Sequence, residues 1–366
     1  MNNPSPLLLI GVGGAGSSMA RGVGRAFGEG LRYVIADTDA TTGEGDGHFA
    51  LLGGDRLSGR GSGGDFVTAR LAAEDSVGTL DESLEGVRLA VILTALGGGT
   101  GSGATLEILK HLGDRGIPSV VFATTPFAFE GETRQQNARG VMSMIEEAAN
   151  ATFFIPLDKL IGDTDNMDAA LRRAIDTLAS GVTLFWRLVE KPGYIKTDTE
   201  RIRHLIAGAG RGRFATVTLQ GPNRASDAVD QLVRAPLLAE GNGGVRAILC
   251  GILAGEDLRL SEVGTVSEGL RTAFGEQCTF DLATVNDEQT FCGRLSVVAM
   301  LFESAPDDAE VAPEAVRGAK RVRKTRNPLA TGPQGRGRFN NVEPTVWNGE
   351  DIDTPTFVRK NINLDF

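Results

Sequence analysis

Gly97-Gly98-Gly99-Thr100-Gly101-Ser102-Gly103 packs five glycines and two small hydroxyls into seven residues. Glycine lets the backbone approach a ligand closely and adopt positive φ. The run lies between Leu89-Ala90-Val91-Ile92-Leu93-Thr94, an apolar stretch that predicts a buried strand, and Ala104 to Leu112, whose apolar spacing predicts a helix. A strand-to-helix turn of this kind presents free N–H groups to an anion at the start of the helix, and its natural ligand is a phosphate chain. No Lys follows the last glycine, so this is not a Walker A loop; backbone dipoles and a metal must meet the phosphate charge. Gly11-Val12-Gly13-Gly14-Ala15-Gly16 repeats the arrangement near the start of the chain, with Gly11, Gly13 and Gly16 fitting G-x-G-x-x-G. It follows an apolar strand at 7–10, opens a helix over 17–27, and is followed by a second strand, 33–36, ending on Asp37-Thr38-Asp39. That is the dinucleotide fingerprint, and on this segment alone a nicotinamide- or flavin-dependent oxidoreductase fits as well. A third loop, Gly59-Arg60-Gly61-Ser62-Gly63-Gly64, precedes a polar helix predicted over 65–84. Three glycine loops at one sheet edge suit a triphosphate; a dinucleotide enzyme needs one.

The elements that must position these loops alternate. Strands at 119–124 and 152–156 flank a helix over 132–149, which implies a parallel, doubly wound sheet. From Met167, apolar residues recur every three or four positions through Leu171, Leu178, Val182 and Val189, and Lys191-Pro192-Gly193 stops the pattern. This predicts one long helix able to bridge two domains. Strands at 214–219, 246–253, 277–281 and 294–301, with helices over 226–235 and 260–274, form a smaller mixed α/β domain without a catalytic constellation. Beyond Ser304 apolar periodicity stops and a basic cluster from Arg317 to Arg326 predicts a disordered linker; apolar residues return at 349–360, as in a docking peptide.

Composition limits the function. The 366 residues carry a net charge of −10, which argues against a general nucleic-acid binder. No apolar run approaches 18 residues and residues 1–6 carry no signal peptide, so neither membrane insertion nor export is expected and the location is cytoplasmic. The three cysteines show no metal spacing and predict reduced core thiols.

The chain resembles the FtsZ branch of the tubulin superfamily over most of its length. Gly97 to Gly103 matches the signature G-G-G-T-G-S/T-G in full, 126–131 with Arg134 resembles P-F-x-F-E-G-x-x-R, and 155–160 resembles I-P-N-D-K-L. The tail resembles the peptide D-I-P-x-F-L-R-K/R. The resemblance implies a tubulin/FtsZ-like α/β fold: a GTP-binding domain at 1–165, a central helix at 166–191, a second domain at 192–304, a linker at 305–341 and a docking peptide within 342–366. It implies GTP or GDP with Mg2+, no residue being assigned as a protein metal ligand. It also implies head-to-tail homopolymerisation at the bacterial division site, and membrane-tethering or regulatory division proteins bound through 349–360. Carried over by position, nucleotide contacts fall on Gly11, Gly13, Gly14, Gly16, Ser18, Asp39, Gly61, Gly63, Gly97, Gly98, Gly99, Thr100, Gly101, Ser102, Gly103, Glu130, Arg134 and Asp176. Asp37 replaces the Asn of N-T-D-A, and Asp176 aligns with the acid that reads guanine, beside Ile175 where the family has Asn. Leu171 and Ser18 stand where the family often has an aromatic and an Asn against the base.

The resemblance also implies that each subunit completes its neighbour's site with N-x-D-x-x-D, whose acids orient a water. Here Lys196 replaces Asn, Asp198 is kept, Arg201 takes the place of the second acid, and Glu200 lies one position away. The expectation is slow GTP hydrolysis by Asp198 with help from Glu200, and faster turnover if Asp is restored at 201. The alternatives are a nucleotide-binding filament subunit without hydrolysis and, remotely, the oxidoreductase.

Overall fold

The computed structural model describes residues 5–27, 31–160, 166–190, 193–197, 199–208, 210–239, 244–275 and 277–303, together with 346–347 and 350–351. The first half runs β1 (Leu7–Val12), α1 (Gly13–Phe27), β2 (Tyr33–Asp37), β3 (His48–Leu51), α2 (Gly54–Leu57), α3 (Phe66–Ser76), β4 (Leu89–Ala95), α4 (Gly99–Asp114), β5 (Ser119–Thr125), α5 (Glu132–Ala148) and β6 (Ala151–Pro156). It continues through α6 (Met167–Glu190), α7 (Thr199–Ile206), β7 (Gly210–Gln220), α8 (Arg224–Val233), α9 (Pro236–Ala239), β8 (Val245–Ala254), α10 (Leu260–Phe274), β9 (Thr279–Asn286), α11 (Glu288–Phe291) and β10 (Arg294–Glu303).

These strands form one sheet in the order β3-β2-β1-β4-β5-β6-β7-β10-β8-β9. From β3 to β6 every neighbour is parallel, as expected of strands that are apolar on both faces. β7 continues parallel to β6, pairing Ala151–Phe153 with Gly210–Gly212, and β10 then runs antiparallel to β7 and β8. Alternate strand residues go to opposite faces. Leu7, Leu9, Val91 and Phe122 pack with Met19 and Val23 of α1 and Leu178, Val182 and Trp186 of α6. Leu8, Ile10, Ile92 and Val121 pack on the other face with Ile108 of α4 and Val141 and Ile145 of α5. Helices on both faces make this half doubly wound. A third core, including Leu232 of α8, Leu270 of α10 and Ile252 of β8, closes the second half.

The long helix lies where its spacing predicts, and the Asn166 side chain accepts a bond from the Ala169 amide at its start. The polar helix predicted over 65–84 stops at Ser76 and gives way to two 3-10 turns, 77–80 and 82–84. β3, α2, α7, α9 and α11 lie outside every predicted element. Residues 312–366 form a separate unit, of which a two-stranded pairing of β11 (Val346–Trp347) with β12 (Glu350–Asp351) is described. The predicted linker and the rest of the docking peptide lie outside the described residues. No helix among the described residues is long and apolar enough to cross a membrane.

The cysteines differ in accessibility: Cys250 is buried in β8, Cys278 is half-buried and Cys292 is exposed. Burial pushes the Cys250 thiol up to about 12, which removes its thiolate at neutral pH. Treating the native protein with a thiol reagent at pH 8 should therefore label Cys292 and spare Cys250 until denaturant is added; prompt labelling of Cys250 would contradict its burial.

Candidate nucleotide site

The three glycine segments converge on a cavity of about 980 Å³. Its wall includes Gly13, Gly14, Ala15 and Ser18 at the start of α1, Asp37, Thr38 and Asp39 after β2, Gly61 to Gly64, and Gly98 to Gly101. The size is at the upper end for small-molecule sites. Both α1 and α4 begin inside the glycine runs, so part of each predicted turn is the first turn of a helix. Gly98 precedes α4 without any side-chain cap, leaving the first N–H groups of that helix for an anion. Gly13 stands at φ +75°, and a Cβ there would come within 3.1 Å of the Gly101 nitrogen. Two helix N-termini thus meet at touching distance across the floor of the cavity. Thr38 and Thr100 join hydroxyls at 2.7 Å, and Ser62 lies 3.5 Å from Thr100.

Other glycines in the same runs serve packing. A Cβ on Gly16 would stand 2.4 Å from the Leu93 carbonyl oxygen, and one on Gly103 would stand 2.4 Å from that of Phe66. Gly11 lies within β1, where a Cβ would meet Ala20 and Gly16 at 2.7 Å. Ser102 is buried and accepts the Gly97 amide proton at 3.0 Å, tying the run into a closed turn. These five, Gly11, Gly16, Gly97, Ser102 and Gly103, are not among the residues that line the cavity.

Glu130 and Arg134 also line the cavity and pair at 2.6 Å. Phe127 and Phe129 stack with ring centres 4.9 Å apart, and Phe129 is 62 % exposed at the rim. The apolar end is made by Met19, Ile175 and Leu178. Asp176, one residue from Ile175, is exposed and lines a second cavity of about 750 Å³ with Arg172, Thr177 and Ser180. Asp37, Arg60, Phe129 and Ile175 also line the cavity without being among the contacts expected from sequence; Asp37 and Arg60 are charged residues within the loops, Phe129 lies in the P-F-x-F-E-G segment, and Ile175 stands where the family has Asn.

Two carboxylates after β2 are held differently. The Asp39 side chain accepts the Thr41 hydroxyl and amide, at 2.7 and 2.9 Å, which holds its carboxyl below the usual range. Asp37 is 3 % exposed, and burial pushes its carboxyl above the usual range against opposing bonds from Thr42, the Asp39 and Thr38 amides, and Thr100.

The segment predicted to act on a neighbour is partly visible. Gly193 donates to the Thr284 carbonyl at 2.6 Å, Ile195 accepts from the Thr284 amide at 2.8 Å, and the Ile195 amide reaches the Thr284 hydroxyl at 3.0 Å. These bonds staple 193–195 to β9. Tyr194 projects 76 % exposed, and Lys196 is exposed beside it. Asp198 lies outside the described residues. Glu200 is exposed in the first turn of α7. Arg201 donates to Asp281 of β9, whose side chain is 7 % exposed, so its guanidinium binds within its own subunit.

Residues 6–165 match the model of the Tubulin/FtsZ family, GTPase domain. A cell division protein FtsZ from Pseudomonas putida is 32% identical over 290 residues, covering 77% of this chain and 73% of the relative. One from Pseudomonas aeruginosa is 33% identical over 285 residues, covering 76% and 72%. Strand order, cavity and these likenesses together define the class: this chain belongs to the Tubulin/FtsZ family. Within it the chain is FtsZ-like. An empty FtsZ dimer of M. jannaschii superposes with a TM-score of 0.76 at 24% identity, covering 81% of this chain and 87% of that one. CetZ2 from Haloferax volcanii, a GTPγS-bound protofilament, superposes at 0.68 and 21%, covering 82% and 93%.

Proposed function

We propose that the chain is a GTP-binding subunit of a head-to-tail filament acting in bacterial cell division, in the cytoplasm at the division site. The observation that carries this is the meeting of the start of α1 and the uncapped start of α4 in one cavity, in a chain whose relatives are cell division proteins. The phosphates would lie on the Gly13–Gly14 and Gly98–Gly101 backbone, with the base toward Met19, Ile175 and Leu178. Asp176 is the proposed reader of guanine, since a carboxylate accepts two N–H bonds from guanine and cannot do so from adenine; it lines the second cavity and not this one, so its side chain would have to turn toward the base on binding.

Mg2+ fits the residues present. This ion takes one or two carboxylates along with substrate phosphates, and Asp37 and Asp39 line the cavity. Among the described residues no group of three or more metal-ligating side chains exists, so the ion would arrive with the nucleotide. Bound there, it supplies charge neutralisation at the phosphates.

Hydrolysis would take place between subunits, with Asp198 and Glu200 of one acting at the cavity of the next. A filament subunit that binds GTP without turning it over is the second reading, favoured by the Arg201–Asp281 pair and by Lys196 in place of an amide. Nucleotide-dependent sedimentation with parallel phosphate release over a protein dilution series separates them. GTP-dependent pelleting with release per subunit rising with concentration is the expected result. Pelleting with no phosphate supports the second reading, and no pelleting with GTP sinks both. The 349–360 segment is the proposed dock for membrane-tethering or regulatory division proteins.

A further inference from the structure

Arg60 lines the cavity with a fixed backbone and an uncommitted head group. It sits in the third glycine loop between Gly59 at φ +70° and Gly61 at φ +75°, left-handed positions that turn the chain sharply on both sides of it. Its amide donates to the Leu57 carbonyl at 3.1 Å, and its backbone bridges to Asp39. The Gly59 carbonyl accepts the Ala40 amide at 2.9 Å, and the Gly61 amide donates to the Thr38 carbonyl at 3.1 Å. Two residues further on, the loop packs on the start of α4: Ser62 lies 3.5 Å from the Thr100 hydroxyl, and a Cβ on Gly99 would stand 2.3 Å from the Ser62 hydroxyl. The Arg60 side chain itself is exposed. Among the described residues its guanidinium takes part in no hydrogen bond or ion pair. The other lining cation, Arg134, is taken by Glu130 at 2.6 Å.

We propose that Arg60 reads the terminal phosphate and gives the site a preference for a nucleoside triphosphate over a diphosphate. This rests on the nucleotide reading of the cavity and deepens it from which nucleotide binds to how its phosphates are counted. The two faces of the sheet give the direction. Met19 and Leu178, at the end proposed for the base, belong to the core on the α1 and α6 face, whereas α4 packs on the other face. A phosphate chain that starts from the first face ends over the start of α4, where the third loop stands. A guanidinium there offers paired N–H donors that match the oxygens of a phosphate. A diphosphate lacks the group that would meet it. Backbone dipoles and a metal, expected from sequence to carry the phosphate charge, thus gain a side-chain cation at the far end of the chain.

Displacement of a fluorescent GDP analogue from the full chain by GDP and by GTPγS tests this, with magnesium present and at a protein concentration where sedimentation finds no polymer. Arg60→Gln should weaken GTPγS binding about tenfold, the worth of a charge-assisted hydrogen bond, and leave GDP within about twofold of the native protein. Arg60→Lys keeps the charge without the planar fork and should lose about threefold for GTPγS alone. Equal losses for the two nucleotides overturn the proposal, as does an Arg60→Gln protein that binds both as the native one does. If that protein also fails to pellet with GTP, the guanidinium serves a contact between copies instead. Should Arg60→Gln fail to fold by circular dichroism, Arg60→Lys decides by the same comparison. Native protein that binds neither nucleotide overturns this proposal together with the nucleotide reading, whereas binding of both with no selective loss overturns this one alone.

Discussion

Arg201→Asp should destabilise the protein and leave GTP turnover no faster. From sequence, Asp at this position restores an acid of the neighbour-facing motif and is expected to speed hydrolysis. In the fold, Arg201 Nε and Nη2 both reach Asp281 Oδ1, and the Asp281 side chain is 7 % exposed. The substitution leaves that carboxylate without its guanidinium and sets a second carboxylate nearby. Breaking a buried pair costs about 3–5 kcal/mol, and because the Arg201 side chain is 62 % exposed we discount this for solvent screening to about 2 kcal/mol. Urea denaturation should show a lowered midpoint for Arg201→Asp and substantial recovery in the charge-swapped double variant Arg201→Asp/Asp281→Arg. A single variant as stable as the native protein and faster in phosphate release would mean that the pair does not anchor α7 and that the acid alone was missing.

The second large effect comes from two glycines that look alike in sequence. A Cβ on Gly101 would stand 2.1 Å from the Ala95 carbonyl oxygen and 3.0 Å from the Thr94 hydroxyl. Backbone must move, and overpacking of this kind costs about 3 kcal/mol; nucleotide affinity should fall with it because the start of α4 shifts. A Cβ on Gly14 would meet nothing within 4 Å. Gly14→Ala should thus leave stability unchanged or raise it by about 0.5 kcal/mol, since Ala favours the helix. Its methyl nevertheless occupies the cavity floor, so GDP affinity should drop about tenfold or more, the worth of roughly one lost close contact with phosphate. Paired melting curves and GDP titrations check both. Loss of stability in Gly14→Ala, or full nucleotide affinity in Gly101→Ala, would show that the glycines have been assigned the wrong tasks.

Those glycines also show how far the sequence could be read. Strands β1, β4 and β5 are continuous apolar runs because both faces are covered, and that pattern survives into the fold unchanged. α1 and α4 begin earlier than apolar spacing predicts, at Gly13 and Gly99, because glycine is a poor helix former and masks the first turn. What overrides the propensity is tertiary: α1 and α4 approach β4 so closely that Gly16 and Gly101 have backbone oxygens where a side chain would begin. β3 escaped notice because His48–Leu51 is four residues long with an exposed His at its head. α7 is hard to see from sequence because Pro192, Gly193 and the expected motif dominate its neighbourhood, although Ile202, Leu205 and Ile206 do have helical spacing and are buried. The cavity wall was legible wherever glycine loops form it. The Arg201–Asp281 pair was not, since 80 residues separate its partners and nothing local couples them. Nor could spacing alone separate Ile175 from Asp176: successive residues on a helix point about 100° apart, and the turn that brings Ile175 to the cavity carries Asp176 toward the other one.

The pairing of β6 with β7 has a mechanical meaning. It spans three residue pairs, against six between β5 and β6 and nine between β7 and β10. Stiffness in a sheet resides in its ladders, so the subunit is two stiff plates joined by a narrow seam. The glycine cradle belongs to one plate, and the segment stapled to β9 belongs to the other. Any load applied between these two ends must cross the seam, and α6, packed on α1 and on β7, β8, β9 and β10, is the strut that shares it. Bending the subunit is therefore cheapest at Ala151–Phe153, and compliance is concentrated midway between its two ends.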